Sequence, residues 1–513
     1  MRLEYRLEND WPVQAWLAEC HPDRVVVRHG TRVETRGDWF CEAVWDGPFD
    51  RGDFDRTDVV AGSGGRLRGR AVTFVPSGGT VDRLQSMTLR GADGLPGAML
   101  VSNSLPCLVA AAGAKLNPTY RHYKRDIHSV VRGITTYKKT LETSAGPARL
   151  WYFHNFAWDG KALRQLAKPD PDRDFSSFEP YRDFLDETLG KVTRNAQDPA
   201  RAHPMGLIGT MSSGYDSTAV GALGRKHGLE EIVTFDEARG GDPDSGVEAA
   251  HHLGLRAIVV RREAWCEHGP LPEVPFLCAD GRGEDRFFLG AADHLRGKLM
   301  LTGFHGDKVW GKSPYGADSL VPHPEIKRGD PSGLTMTEFR LSAGFINCPV
   351  PFWGARRIHE VVAVSRQPEM KRWDVPGDYS RPICRRIVES AGVPRDVFGV
   401  AKRAGSMVER ALTDASRNDY VAWLARKGIE GVTLDAVVRR SLKVVPNPVR
   451  SKLFQMFYSS RTPSFRDYFF QWAIERRAAV YRSRPARVPA AAVPVQRGLR
   501  PARHEQDRAA LAV

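Results

Sequence analysis

The stretch that most constrains the fold is Gly206 to Gly228, GLIGTMSSGYDSTAVGALGRKHG. Leu207 and Ile208, with Met211 after Gly209 and Thr210, read as a buried parallel strand. The run breaks at Ser212-Ser213-Gly214, and a helix is expected from near Ser217 to a stop at Gly228. Strand, small-residue turn and helix form the repeating unit of a doubly wound α/β sheet.

Such a turn suits an anion. Ser212, Ser213 and Gly214 carry little or no side chain, so successive backbone N–H groups can converge on phosphate oxygens, and the following helix adds its positive end. Asp216 in the same loop would repel a bare phosphate but suits one that arrives with Mg²⁺. No Gly-Lys-Ser/Thr follows, so this is not a Walker loop.

SSGYDST resembles the SGGxDS loop of the N-type ATP pyrophosphatases, which split ATP between its α and β phosphates, and its surroundings look most like the asparagine synthetase family. The resemblance implies that Ser212, Ser213, Gly214, Asp216, Ser217 and Thr218 hold the pyrophosphate end of ATP. Ser213 departs from the pattern, since the family usually has Gly there. The competing reading is a tight turn in some other doubly wound domain.

Downstream the pattern alternates. Glu231–Phe235 reads as a strand, Asp244–Leu253 as a helix capped by Asp244 or Ser245, Arg256–Val260 as a strand and Leu299–Leu301 as another. This predicts a parallel sheet with ligands at the carboxyl ends of its strands, where Ser212, Phe235 and Gly303 would lie. Phe235 is expected to contact nucleotide.

A second segment, LTGFHGDKVWGK (Leu301–Lys312), resembles the family's SGEGADELFGG, with Gly303, Asp307 and Gly311 in register. The resemblance implies that Asp216 and Asp307 hold Mg²⁺ on the pyrophosphate. Phe304 stands where the family has an acid, which removes a group that assists the amine step. His305 could take over as base or serve structure alone. Lys308 either contacts phosphate or faces solvent. The stretch Arg385–Gly405 looks like a family segment ending in R-x-K, which would put Lys402 near the α-phosphate; the competing reading is a solvated Lys-Arg pair.

Residues 1–160 alternate short apolar runs with Gly and Pro turns and read as β-rich, with GSGGRL (Gly62–Leu67) as a hairpin turn. The resemblance places a glutaminase domain here, an α/β/β/α sandwich whose nucleophile is a cysteine at position two. Position two is Arg2, so the domain is read as degenerate, without the thiolate that glutamine hydrolysis requires. Residues 161–203 follow as a helix (Phe178–Asn195) and a polar linker, after an aromatic strand at Leu150–Phe156. Residues 204–480 are the expected ATP pyrophosphatase domain with a helical second half, and 481–513 a basic tail.

The formal charge is +14, but from Arg476 to Val513 nine Arg face only Glu505 and Asp507, so half the excess sits at the end. Without interleaved aromatics that tail gives little case for nucleic acid. Seven scattered cysteines, no C-x-x-C and no apolar leader lead us to expect reduced thiols, a cytoplasmic location and no membrane span.

The function expected is an AMP-forming ligase using ATP and Mg²⁺, which adenylates a small-molecule carboxylate and passes it to an amine. Ammonia or an amine from a separate donor, or an amine within the substrate, would replace glutamine. A non-catalytic ATP-binding or scaffold relative and a tRNA-modifying ATP pyrophosphatase are the alternatives.

Overall fold

The computed structural model describes residues 1–90, 96–238, 241–312, 332–377, 379–400, 412–430 and 464–482. Among them the chain is mixed α/β with three sheets. The first 165 residues supply two. One runs Arg2–Leu7, Arg24–His29, Trp16–Cys20, Pro96–Ser102, Leu84–Arg90, Gly146–Trp151, Thr140–Thr143 in space. The other is antiparallel, in the order Leu163–Gln165, Phe156–Trp158, Ala71–Val75, Val60–Arg68, Trp39–Trp45, Glu34–Arg36. Alternation along the strands turns Trp16, Val25 and Val101 of the first and Phe40, Val72 and Phe74 of the second into one shared core, which makes a sandwich.

Two expectations fail here for local reasons. Gly62–Leu67 is not a turn but lies inside strand Val60–Arg68. Its glycines serve close approach: a Cβ on Gly62 (φ +90°) would lie 2.0 Å from the Glu42 carbonyl oxygen, and one on Gly64 2.4 Å from that of Phe40. The aromatic run Leu150–Phe156 is divided between two sheets, Gly146–Trp151 and Phe156–Trp158, because Phe153 turns into the left-handed region at φ 61°. Lys168 and Arg356 stand 5.7 and 5.4 Å from the Phe153 ring centroid.

Of the helical stripe Tyr181, Phe184, Leu185, Leu189 and Val192 that the sequence spacing gives, helix Phe178–Gln197 buries all but Phe184, which is half-buried. The polar stretch after it is docked rather than free. Arg201 is buried, donating to the Ala43 carbonyl (2.9 Å) and the Asn195 side chain (2.5 Å).

The third sheet is wholly parallel, in the order Arg256–Val260, Glu231–Phe235, Gly206–Thr210, Lys298–Thr302, Ile346–Pro349. The chain winds outward in one direction from the central strand Gly206–Thr210 and then returns to its other side. The switch point therefore falls between Gly206–Thr210 and Lys298–Thr302, the place where doubly wound sheets form a ligand crevice at the carboxyl ends of their strands. Helices Ile358–Ser365, Pro382–Ser390, Asp414–Arg426 and Phe469–Ala478 follow. Residues 401–411 and 431–463 of the expected helical second half, and residues 483–513 of the basic tail, lie outside the described residues. Among the described residues no helix is long and apolar enough to cross a membrane. The cysteines are free thiols, and Cys266 alone is exposed.

One buried cation joins the sandwich to the parallel sheet. Arg340, 1 % exposed, donates to Glu42 Oε2 (2.7 Å) and Asp82 Oδ2 (2.9 Å), while Thr337 donates to Asp82 Oδ1 (2.8 Å). Burial works against the Arg340 charge, but Asp82 and Glu42 outweigh it and its pKa is raised.

Candidate functional site

The crevice is built where two segments touch. The helix after the central strand starts at Tyr215, two residues earlier than expected, with Gly214 as N-cap. A Cβ on Gly303 would lie 2.6 Å from the Asp216 carbonyl carbon and the Ser217 nitrogen, and one on Gly306 would lie 2.7 Å from Asp216 Cγ. Gly303 and Gly306 therefore let the second segment lie directly on the first helical turn of the loop. Asp307 follows Gly306 directly, so its backbone lies one residue from this contact.

The loop is held by its own oxygens. Ser212 N–H donates to Ser217 Oγ (3.1 Å) and Gly214 N–H to Ser212 Oγ (3.2 Å). Ser213 donates through both its N–H (3.3 Å) and its hydroxyl (2.6 Å) to Asp244 Oδ1. Ser213, the departure from glycine, is thus what lets Asp244 hold the loop. Asp244 does not cap the next helix, which begins at Val247 behind Gly246.

Two of the expected site residues, the phosphate ligand Thr218 and the candidate base His305, are buried. Thr218 is fully buried, and its hydroxyl donates to the Gly214 carbonyl (2.7 Å) and lies 3.2 Å from that of Ser212, so it braces the loop from behind. His305 is 3 % exposed, sits at φ 72° and lies flat on Phe352 at 4.4 Å between centroids. It belongs to the packing beneath the site, which is a poor position for a base that must reach a substrate amine. Phe235 is half-buried at its strand end, edge-on to Phe287 (4.7 Å) and Phe288 (5.3 Å), and Phe304 meets Phe288 at 6.2 Å. An aromatic wall thus spans the strand ends on both sides of the loop.

Charge converges on the two acids. Asp307 Oδ2 pairs with Lys308 Nζ at 2.9 Å. Asp216 Oδ1 lies 3.4 Å from Arg381 Nε and accepts from Cys384 Sγ at 3.6 Å. Arg381 Nη1 also donates to the Asp307 carbonyl (3.1 Å). Burial opposes the Arg381 charge, yet Asp216, with Asp307 adding to it, raises its pKa. Burial, then Asp216, holds the Cys384 thiol well above the usual range, so it is a neutral donor.

Sequence reading missed Arg381, Cys384 and Asp244. A signal for Arg381 existed: it precedes Pro382 and is the N-cap of helix Pro382–Ser390, where an oxygen-bearing side chain is the rule and a cation faces the wrong end of the dipole. Such a breach of local preference flags a residue kept for another purpose. Lys402 lies outside the described residues. Gly399, three residues earlier, donates to the Ser213 carbonyl (2.8 Å).

Among the described residues no group of three or more His, Cys, Asp or Glu side chains gathers as a metal cage. Mg²⁺ commonly takes one or two protein carboxylates and completes its shell with phosphate oxygens and water, and Asp216 and Asp307 are the carboxylates this contact between segments offers. Arg2 lies on an edge strand with its side chain 67 % exposed, paired with Glu4. No family model matches the chain, and no curated protein matches it.

Proposed function

We propose that the chain is an AMP-forming ligase of the asparagine synthetase type that works without a glutaminase of its own. The observation that carries this reading is the contact of Gly303 and Gly306 with Asp216, which merges the small-residue loop and the second acidic segment into one crevice at the switch point.

In this reading Ser212, Ser213, Gly214 and Ser217 receive the pyrophosphate portion of ATP, and Asp216 and Asp307 are the carboxylates that hold Mg²⁺. The ion would supply charge neutralisation as the α–β bridge breaks. A substrate carboxylate oxygen attacks the α-phosphorus, and pyrophosphate leaves with the electrons of the broken bond. An amine then attacks the acyl carbon, AMP departs, and the amine proton passes to solvent or a base. Lys308 and Arg381 offset the negative charge of the leaving group, and Lys402 is assigned to the α-phosphate. The N-terminal sandwich serves as a degenerate glutaminase-like scaffold. With arginine at position two it has no nucleophile, so ammonia or a free amine is the nitrogen source.

The test is carboxylate-dependent exchange of labelled pyrophosphate into ATP. Exchange with at least one acid in a broad panel is expected. Tight Mg²⁺–ATP binding with no exchange for any acid would instead favour an ATP-binding scaffold, a second reading supported by Phe304 in the aromatic wall and by Asp244 on the loop.

A further inference from the structure

We infer that Arg381 is a phosphate-gripping residue whose resting partner is Asp216, and that a divalent cation and Arg381 exchange places on that carboxylate. The inference deepens the ligase reading, which identifies the anion as a polyphosphate.

Three observations support it. The first is an incomplete ion pair. Arg381 is 8 % exposed, and its Nε, buried and 3.4 Å from Asp216 Oδ1, makes no hydrogen bond. A buried guanidinium N–H aimed at a carboxylate without closing a hydrogen bond is costly unless another acceptor completes it. The second is anchorage by the opposite end: Nη1 is fixed on the Asp307 carbonyl, so the planar fork is already oriented when Asp216 turns away. The third is placement. Tyr379, two residues before Arg381, packs on the Tyr215 ring at 4.9 Å between centroids, its hydroxyl lies 3.8 Å from where a Gly214 Cβ would stand, and its ring is 5.8 Å from the guanidinium. The segment carrying Arg381 therefore lies over the amino end of the loop helix, where a phosphate would sit.

Asp216 cannot serve both cations at full strength. When the metal takes its oxygens, the guanidinium loses its counter-charge in a buried setting and turns its free N–H groups to the phosphate oxygens that arrive with the metal. The exchange makes metal and anion binding mutually reinforcing.

The test uses the full chain with Mn²⁺ and inorganic pyrophosphate as probes, titrated by calorimetry. R381Q should bind Mn²⁺ alone about tenfold more tightly, because Asp216 has lost a competitor, yet bind pyrophosphate in saturating Mn²⁺ at least about tenfold more weakly. R381K should keep Mn²⁺ affinity near wild type and lose part of the pyrophosphate affinity, since an ammonium has no fork. D216N should abolish the Mn²⁺ gain when combined with R381Q. Opposite signs for the two probes are the signature. A brace that merely holds the helix in place would lower both affinities, and an indifferent residue would change neither; either result overturns the inference. Inverted signs together with no carboxylate-dependent exchange would leave Arg381 as argued and remove the ligase reading alone.

Discussion

Two of the molecule's buried arginines, Arg340 and Arg381, each touch a pair of acidic residues, and the two clusters are built to different degrees of completion. At the joint with the sandwich, Arg340 is 1 % exposed and hydrogen-bonded to both Glu42 and Asp82. At the crevice, Arg381 meets Asp216 without a hydrogen bond, and the Asp216 and Asp307 side chains keep 20 % and 24 % of their exposure. A saturated cluster has nothing left to offer a ligand, so its role is to fix two layers together. At the strand switch point the Arg381 Nε makes no hydrogen bond and keeps a donor for a visitor. The difference lies in completion, since the residue types are the same.

The largest effect that would sharpen this contrast is on stability. R340M leaves Glu42 and Asp82 buried without their cation and should cost about 3–5 kcal/mol in chemical denaturation. A loss below about 1 kcal/mol would mean that the joint is not saturated in the sense argued.

D216N should do the reverse, keeping the melting temperature within a few degrees while lowering pyrophosphate exchange at least about a hundredfold. Undiminished exchange would break the crevice half of the comparison.

A third buried cation gives a pH test. Burial pushes Lys168 down to about 7, with Asp58 pulling it up and Arg356 down, and its Nζ donates to the Pro76 carbonyl (2.7 Å). The unfolded chain keeps that proton to higher pH, so above about 7 it binds more protons than the folded chain and stability rises with pH. The contribution approaches about 1.4 kcal/mol per pH unit once the folded form has lost its proton. Between pH 7 and 8.5 the wild-type unfolding free energy should climb relative to that of K168M. Parallel curves would show that Lys168 stays charged inside.

The smallest effect belongs to the loop itself. S213G removes the hydroxyl bond to Asp244 and should change Mg²⁺–ATP affinity by less than about tenfold, towards tighter binding if Asp244 competes with phosphate. Weaker binding would make Asp244 a support of the loop.

Apolar runs alone located the strands Glu231–Phe235 and Arg256–Val260 to the residue, the second even though it is the sheet's edge and leaves Val259 exposed, and helical spacing located the stripe Tyr181, Leu185, Leu189, Val192, because one buried face of a helix leaves a direct imprint on composition. Gly62–Leu67 deceived for a related reason: glycine marks close backbone approach as readily as a turn, and only the partner strand at Phe40 and Glu42 distinguishes the two. The reach of Ser213 to Asp244 depends on a contact 31 residues away, which no local pattern encodes.

What the chain determined by itself was the unit around Ser212, strand, small-residue bend and helix, since backbone geometry and apolar spacing are local properties. What only tertiary structure decided was which charges meet there. Asp307 comes within one residue of touching Asp216, and Arg381 reaches both from a helix more than 150 residues after the loop, because the winding of the sheet brings those segments to a single edge. Electrostatic interaction depends on distance through space, and sequence separation carries almost no information about that distance.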